Sequence, residues 1–128
     1  MQDSGFRAGR QESTTIWTSE AQGGVLLSAF EGRIVFANGL QGRCAGVETI
    51  DLTDDDAFRG TLIVTLPDGS VCRQAFAGRT LGRRSEAELH GDGSWSVMEA
   101  SGRFHGLSGG GIFQWQLDGV AYIATFAG

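Results

Sequence analysis

No lysine occurs among the 128 residues, so all ten basic side chains are arginines. A chain without an ε-amine cannot supply the phosphate-binding lysine of a P-loop, nor form a Schiff base, and those mechanisms drop out. Positive charge is scarce overall: ten basic residues face 15 acidic ones, for a formal net charge of -5. That sign is wrong for nucleic acid, whose binding draws on clustered cations that release counterions from phosphate. Cysteine is limited to Cys44 and Cys72, too far apart for a metal or redox motif, and two reduced, mostly buried thiols are expected. The two histidines, His90 and His105, form no closely spaced pair with a glutamate of the sort that holds metal in small barrels, so no metal is expected. No apolar run nears the ~18 residues of a membrane span, and Met1 to Phe6 lacks the apolar core of a signal peptide. These absences predict a soluble, cytoplasmic protein with no membrane partner.

Glycine, in contrast, is abundant, with 21 residues against a single proline. The densest stretch is Gly102-Arg103-Phe104-His105-Gly106-Leu107-Ser108-Gly109-Gly110-Gly111, which cannot lie in a helix, where each glycine would cost about 1 kcal/mol relative to alanine. It runs into a stretch where Phe113, Trp115 and Leu117 alternate with Gln114, Gln116 and Asp118, the period-two signature of a strand with one apolar face. Similar short segments recur along the chain: 14–18, 25–30, 33–37, 43–52, 60–66, 70–77, 87–90, 94–98, 112–117 and 120–126. Pro67-Asp68-Gly69, Gly91-Asp92-Gly93 and Asp118-Gly119 read as hairpin turns. The segment from Gly82 to His90 is too short to bury a helical face. Residues 1–12 show no periodicity and are predicted to be a flexible N-terminal arm, leaving 13–128 as the domain. About eight to ten consecutive antiparallel strands predict an all-β fold that closes into a single up-and-down barrel of about eight strands, because closure removes exposed edges. A two-sheet sandwich is the structural alternative.

Few residues advertise chemistry. Gly106-Leu107-Ser108-Gly109-Gly110 matches a nucleophile-elbow pattern, but that elbow joins a strand to a helix in a large α/β sheet, and here a strand follows. The acidic run Asp51 to Asp56 lacks the glycine and glutamate of a calcium loop and is expected to be a solvated connection. Glu48, Glu86, Glu88 and Glu99 could in principle pair for glycoside cleavage, but that reaction depends on a separation the sequence does not give. Glu48 is the most interesting acid, since it interrupts an otherwise apolar strand on the same face as Cys44. On a lumen face its pKa would rise by desolvation toward neutrality, whereas on the outer wall it would be an ordinary solvated glutamate. The aromatics are spread over nearly every strand. An eight-stranded barrel has an interior just wide enough for side chains or for one small ligand. Small residues such as Gly46, Ala75 and Ala124 at lumen positions would leave the rings lining a cavity rather than filling it.

Gly102-Arg103-Phe104, Gly106-Leu107-Ser108-Gly109 and Phe113-Gln114-Trp115 resemble the late strand-turn-strand signature of the allene oxide cyclase-like barrels. That superfamily includes dirigent proteins and spirotetronate cyclases, and the last three residues are nearest to the latter. Gly60-Thr61, Asp68-Gly69 and Phe76 to Gly78 agree with the same pattern. The resemblance implies an eight-stranded barrel, often a dimer or trimer, whose lumen admits an apolar substrate from one end. It also implies cyclisation or isomerisation without a cofactor, as in natural-product biosynthesis. On this expectation Glu48 and Tyr122 are the catalytic candidates. Trp115, Phe113, Phe76, Trp95, Cys44 and Gln74 would contact a hydrophobic, polyene- or epoxide-like substrate. A barrel that only binds or carries such a molecule, and a dirigent-like structural oligomer, are the alternatives.

Overall fold

The computed structural model describes residues 4–54, 56–85 and 87–128. Eight strands follow one another: β1 (Gly9–Ala21), β2 (Val25–Phe36), β3 (Gln41–Asp51), β4 (Ala57–Thr65), β5 (Val71–Ser85), β6 (Glu88–Ala100), β7 (Gly110–Asp118) and β8 (Ala121–Ala127). Each pairs antiparallel with the next, and β8 pairs with β1, so the sheet closes into an up-and-down barrel and the sandwich alternative falls. Among the described residues, no helix is long and apolar enough to cross a membrane.

The hairpins at Pro67-Asp68-Gly69 and Asp118-Gly119 form where the turn chemistry placed them. Gly69 and Gly119 hold φ of 90° and 64°, a left-handed conformation that favours glycine. Gly91-Asp92-Gly93 is not a turn. It lies inside β6, so the two segments read on either side of it are one strand, as are the two that merge in β2 through Glu31-Gly32. The physical reason is close approach. Gly91 pairs with Trp115 and Gly93 with Phe113 across β6 and β7, and a Cβ on either glycine would come within 3 Å of its partner's ring. Gly78 on β5 accommodates Phe58 of β4 in the same manner.

The N-terminal boundary also moves. From Ser4 onward the segment expected to be an arm belongs to the fold: a short 3-10 turn spans Ser4–Arg7, Phe6 is buried in the core, and β1 starts at Gly9 rather than near Ser13. A second 3-10 turn, Gly102–Phe104, opens the connection from β6 to β7. The two turns meet at one end of the barrel. There Phe6 packs edge-on against Phe36 at 5.0 Å and at a tilt against Phe104 at 4.7 Å, while Leu66 and Leu107 complete the seal. Arg7 clamps the arrangement by donating from its guanidinium to the carbonyl of Ser108. The glycine-rich run therefore helps to build the floor of the barrel.

Candidate functional site

The opposite end is open. A cavity of about 450 Å³ runs down the lumen from a mouth formed by Ile16, Trp17, Leu52 and Val120, within the range of small-molecule sites. The glycines explain why side chains do not fill it. Rings from β4 and β7 would otherwise project to the barrel axis. Instead Phe58 lies over Gly78, and Phe113 and Trp115 lie over Gly93 and Gly91, so the rings meet against the wall. Phe58 stands 5.5 Å from Trp115 and 6.1 Å from Phe76, forming one continuous aromatic face. Trp115 donates its indole N–H to the Asp92 carbonyl at 3.3 Å and stacks on Tyr122 at 6.0 Å.

Facing this aromatic wall is a polar one. Gln11, Ser13 and Thr15 of β1, Ser28 of β2, Glu48 of β3 and Tyr122 of β8 all line the cavity. Ser28 is directly opposite Glu48, and Ser13 directly opposite Tyr122, in the strand registers. Glu48 thus points inward, which decides between its two sequence readings. Burial pushes its carboxyl up from the usual glutamate range to about 7, where a carboxylate can both take and return a proton at neutral pH. The Tyr122 hydroxyl is pushed well above its ordinary value, first by burial and then by the nearby Glu48 and Cys44. Tyr122 therefore keeps its proton and is a neutral hydrogen-bond donor.

Of the residues singled out in the sequence, Glu48, Tyr122, Trp115, Phe113, Phe76, Trp95 and Gln74 all line this one cavity. Cys44 does not. It is buried in the wall below, its thiol pushed up to about 12 by burial against a smaller opposing effect of a backbone hydrogen bond from Gly32. Cys44 and Cys72 both oppose Val64, from either side. Two strand spacings, about 10 Å, separate them, beyond the reach of a disulfide, and both are free thiols. Gly46 faces the lumen against Phe30, and Ala124 lines the cavity, but Ala75 alternates with the inward Gln74 and lies on the outer wall.

The other candidates disperse. Ser108 is exposed in the floor connection and leads into β7, not a helix. His90 is exposed at a mouth-end position beside Gly82, and His105 is exposed at the floor. Among the described residues, no three His, Cys, Asp or Glu side chains group to hold a metal ion. Glu99 is ion-paired with Arg73 on the outer surface, Glu88 sits beside the β5–β6 hairpin, and Glu86 lies outside the described residues. Glu48 therefore has no second glutamate facing it among the residues that line the cavity.

The sequence reading missed the polar wall of β1 and β2. Gln11-x-Ser13-x-Thr15 has period two, but its inward residues are polar like its outward Arg10, Glu12 and Thr14, so there is no apolar contrast to detect. No protein-family model, no curated protein and no solved structure matches this chain.

Proposed function

We propose that this barrel is a cofactor-independent isomerase or cyclase for a small hydrophobic, polyene- or epoxide-like molecule that enters the lumen through the open mouth. The observation that carries the reading is that Glu48 and Tyr122 line one cavity of about 450 Å³ together with a continuous aromatic face, against whose Trp115 Tyr122 stacks. An apolar pocket of this kind holds a flexible substrate near its reactive geometry, replacing several kcal/mol of activation entropy. Glu48, with its proton lost near pH 7, takes a proton from carbon. Tyr122 donates a hydrogen bond to the oxygen on which negative charge develops. Glu48 then returns the same proton at a second carbon, so the step is redox-neutral and consumes nothing. The resemblance of the Gly102 to Trp115 segment to allene oxide cyclase-like barrels agrees with this chemistry. A dimer or trimer belongs to the same reading, with the exposed Leu27, Val47 and Ile63 as its apolar contact face.

The test uses an apolar β,γ-unsaturated cyclic ketone, whose move into conjugation is followed by ultraviolet absorbance. The parent protein is expected to accelerate the shift, Glu48→Gln to lose at least a hundredfold of that acceleration, and Tyr122→Phe to lose about tenfold. If the ketone binds in the lumen and emerges unchanged at equal rates from parent and Glu48→Gln, the barrel is a carrier and the catalytic reading falls.

A further inference from the structure

Among the described residues, two buried side-chain polar atoms have no hydrogen-bond partner: the indole Nε1 of Trp95 and the Oγ1 of Thr80. Both residues line the cavity. Trp95 is 6% exposed and packs edge-on against Phe126 at 6.0 Å, on the floor side of the catalytic candidates. Thr80 lies toward the mouth, paired with Gly91 on β6. Gly91 and Trp95 are four residues apart on one strand, so the two groups are separated by roughly 13 Å along the barrel wall. An indole N–H can only donate, and a buried donor with no acceptor is costly, about 1–3 kcal/mol. Buried polar groups are paired in the great majority of structures, so two orphans along one cavity point to an occupant that pairs them.

The same cavity restricts the charge of that occupant. Among the described residues, no arginine or histidine lines it, and the acidic ones that do are Glu48 and, at the rim, Asp56, which is held by Arg83 at 2.9 Å. An anionic leading end would meet no cation, and a cationic one would meet a donor. Resting on the lumen reading above, we infer that the substrate is an elongated, uncharged molecule whose leading end carries an oxygen acceptor, a ketone, ester or lactone carbonyl, received by Trp95 Nε1, and whose trailing end carries a second polar group received by Thr80.

The experiment compares three probes of similar length, methyl nonyl ketone, undecane and decanoate, by displacement of N-phenylnaphthylamine from the lumen. The ketone is expected to bind about fivefold to tenfold more tightly than undecane, as one neutral hydrogen bond allows, and Trp95→Phe to erase that preference, so that ketone and undecane then bind the variant equally. The unmutated protein supplies a second readout: the indole N–H proton resonance of Trp95 moves downfield with the ketone and not with undecane. Failure of all three probes to displace the dye would overturn the lumen reading itself. Equal affinity of ketone and undecane with an unmoved Trp95 resonance leaves the lumen intact and overturns the acceptor assignment, as does decanoate binding most tightly.

Discussion

The two ends of this barrel are built from similar residues put to opposite use. At the floor, Phe6, Phe36, Leu66, Phe104 and Leu107 are all buried against one another. At the mouth, Ile16, Trp17, Leu52 and Val120 stay substantially exposed, Val120 at 60% and Trp17 at 49%. Apolar area buried at the floor contributes to folding whether or not anything is bound. Apolar area at the mouth stays in water in the folded protein, so it contributes little to folding, and under the proposed function an entering molecule would cover it. Under the proposed function, stability and recognition would thus be separated along the barrel axis, with the polar wall of Gln11, Ser13, Ser28, Glu48 and Tyr122 between them.

The contrast breaks most severely at the floor. Phe104 is 1% exposed and touches both Phe6 and Phe36, so Phe104→Ala is expected to cost about 3–5 kcal/mol in denaturant unfolding. A loss below about 1 kcal/mol would mean that the plug is not part of the cooperative core. The middle of the lumen gives the next effect. The carboxyl of Glu48 is raised from 4.5 to about 7 in the folded protein, so the folded state holds a proton that the unfolded state has released between those values. Stability therefore falls as pH rises from about 4.5 to about 7 and levels off above, by up to about 3 kcal/mol. Glu48→Gln is expected to flatten that slope in denaturation midpoints recorded across the same pH range; parallel curves for the two proteins would place Glu48 in solvent. The smallest change comes from the mouth. Trp17→Ala should alter unfolding free energy by no more than about 0.5 kcal/mol while weakening dye binding in the lumen. A large stability loss with unchanged binding would reverse the roles given to the two ends.

Much of the architecture was legible from local chemistry. Turn residues at Asp68-Gly69 and Asp118-Gly119, with the alternation of Phe113, Trp115 and Leu117, carry the barrel directly in the sequence. Gly91 and Gly93 misled because glycine signals both a turn and a place where an aromatic ring lies across the backbone. Only the partner strand, carrying Trp115 and Phe113, tells the two apart. Alternation put Glu48 and Cys44 on a common face, but which face is interior is settled by closure of the whole sheet, a long-range fact. The orphan atoms of Trp95 and Thr80 were beyond reach for the same reason. A donor is unsatisfied only relative to neighbours from other strands.

The seam between β1 and β8 has a practical consequence. Gly9 pairs with Phe126, so both ends of the described chain leave from the sealed pole, and the β7–β8 hairpin at Gly119 sits on the opposite rim. A circular permutant joining the two ends by a short linker and opening at Gly119 retains all eight strand pairings. Its new termini flank the entrance, where a fused peptide becomes an engineered gate over the chamber.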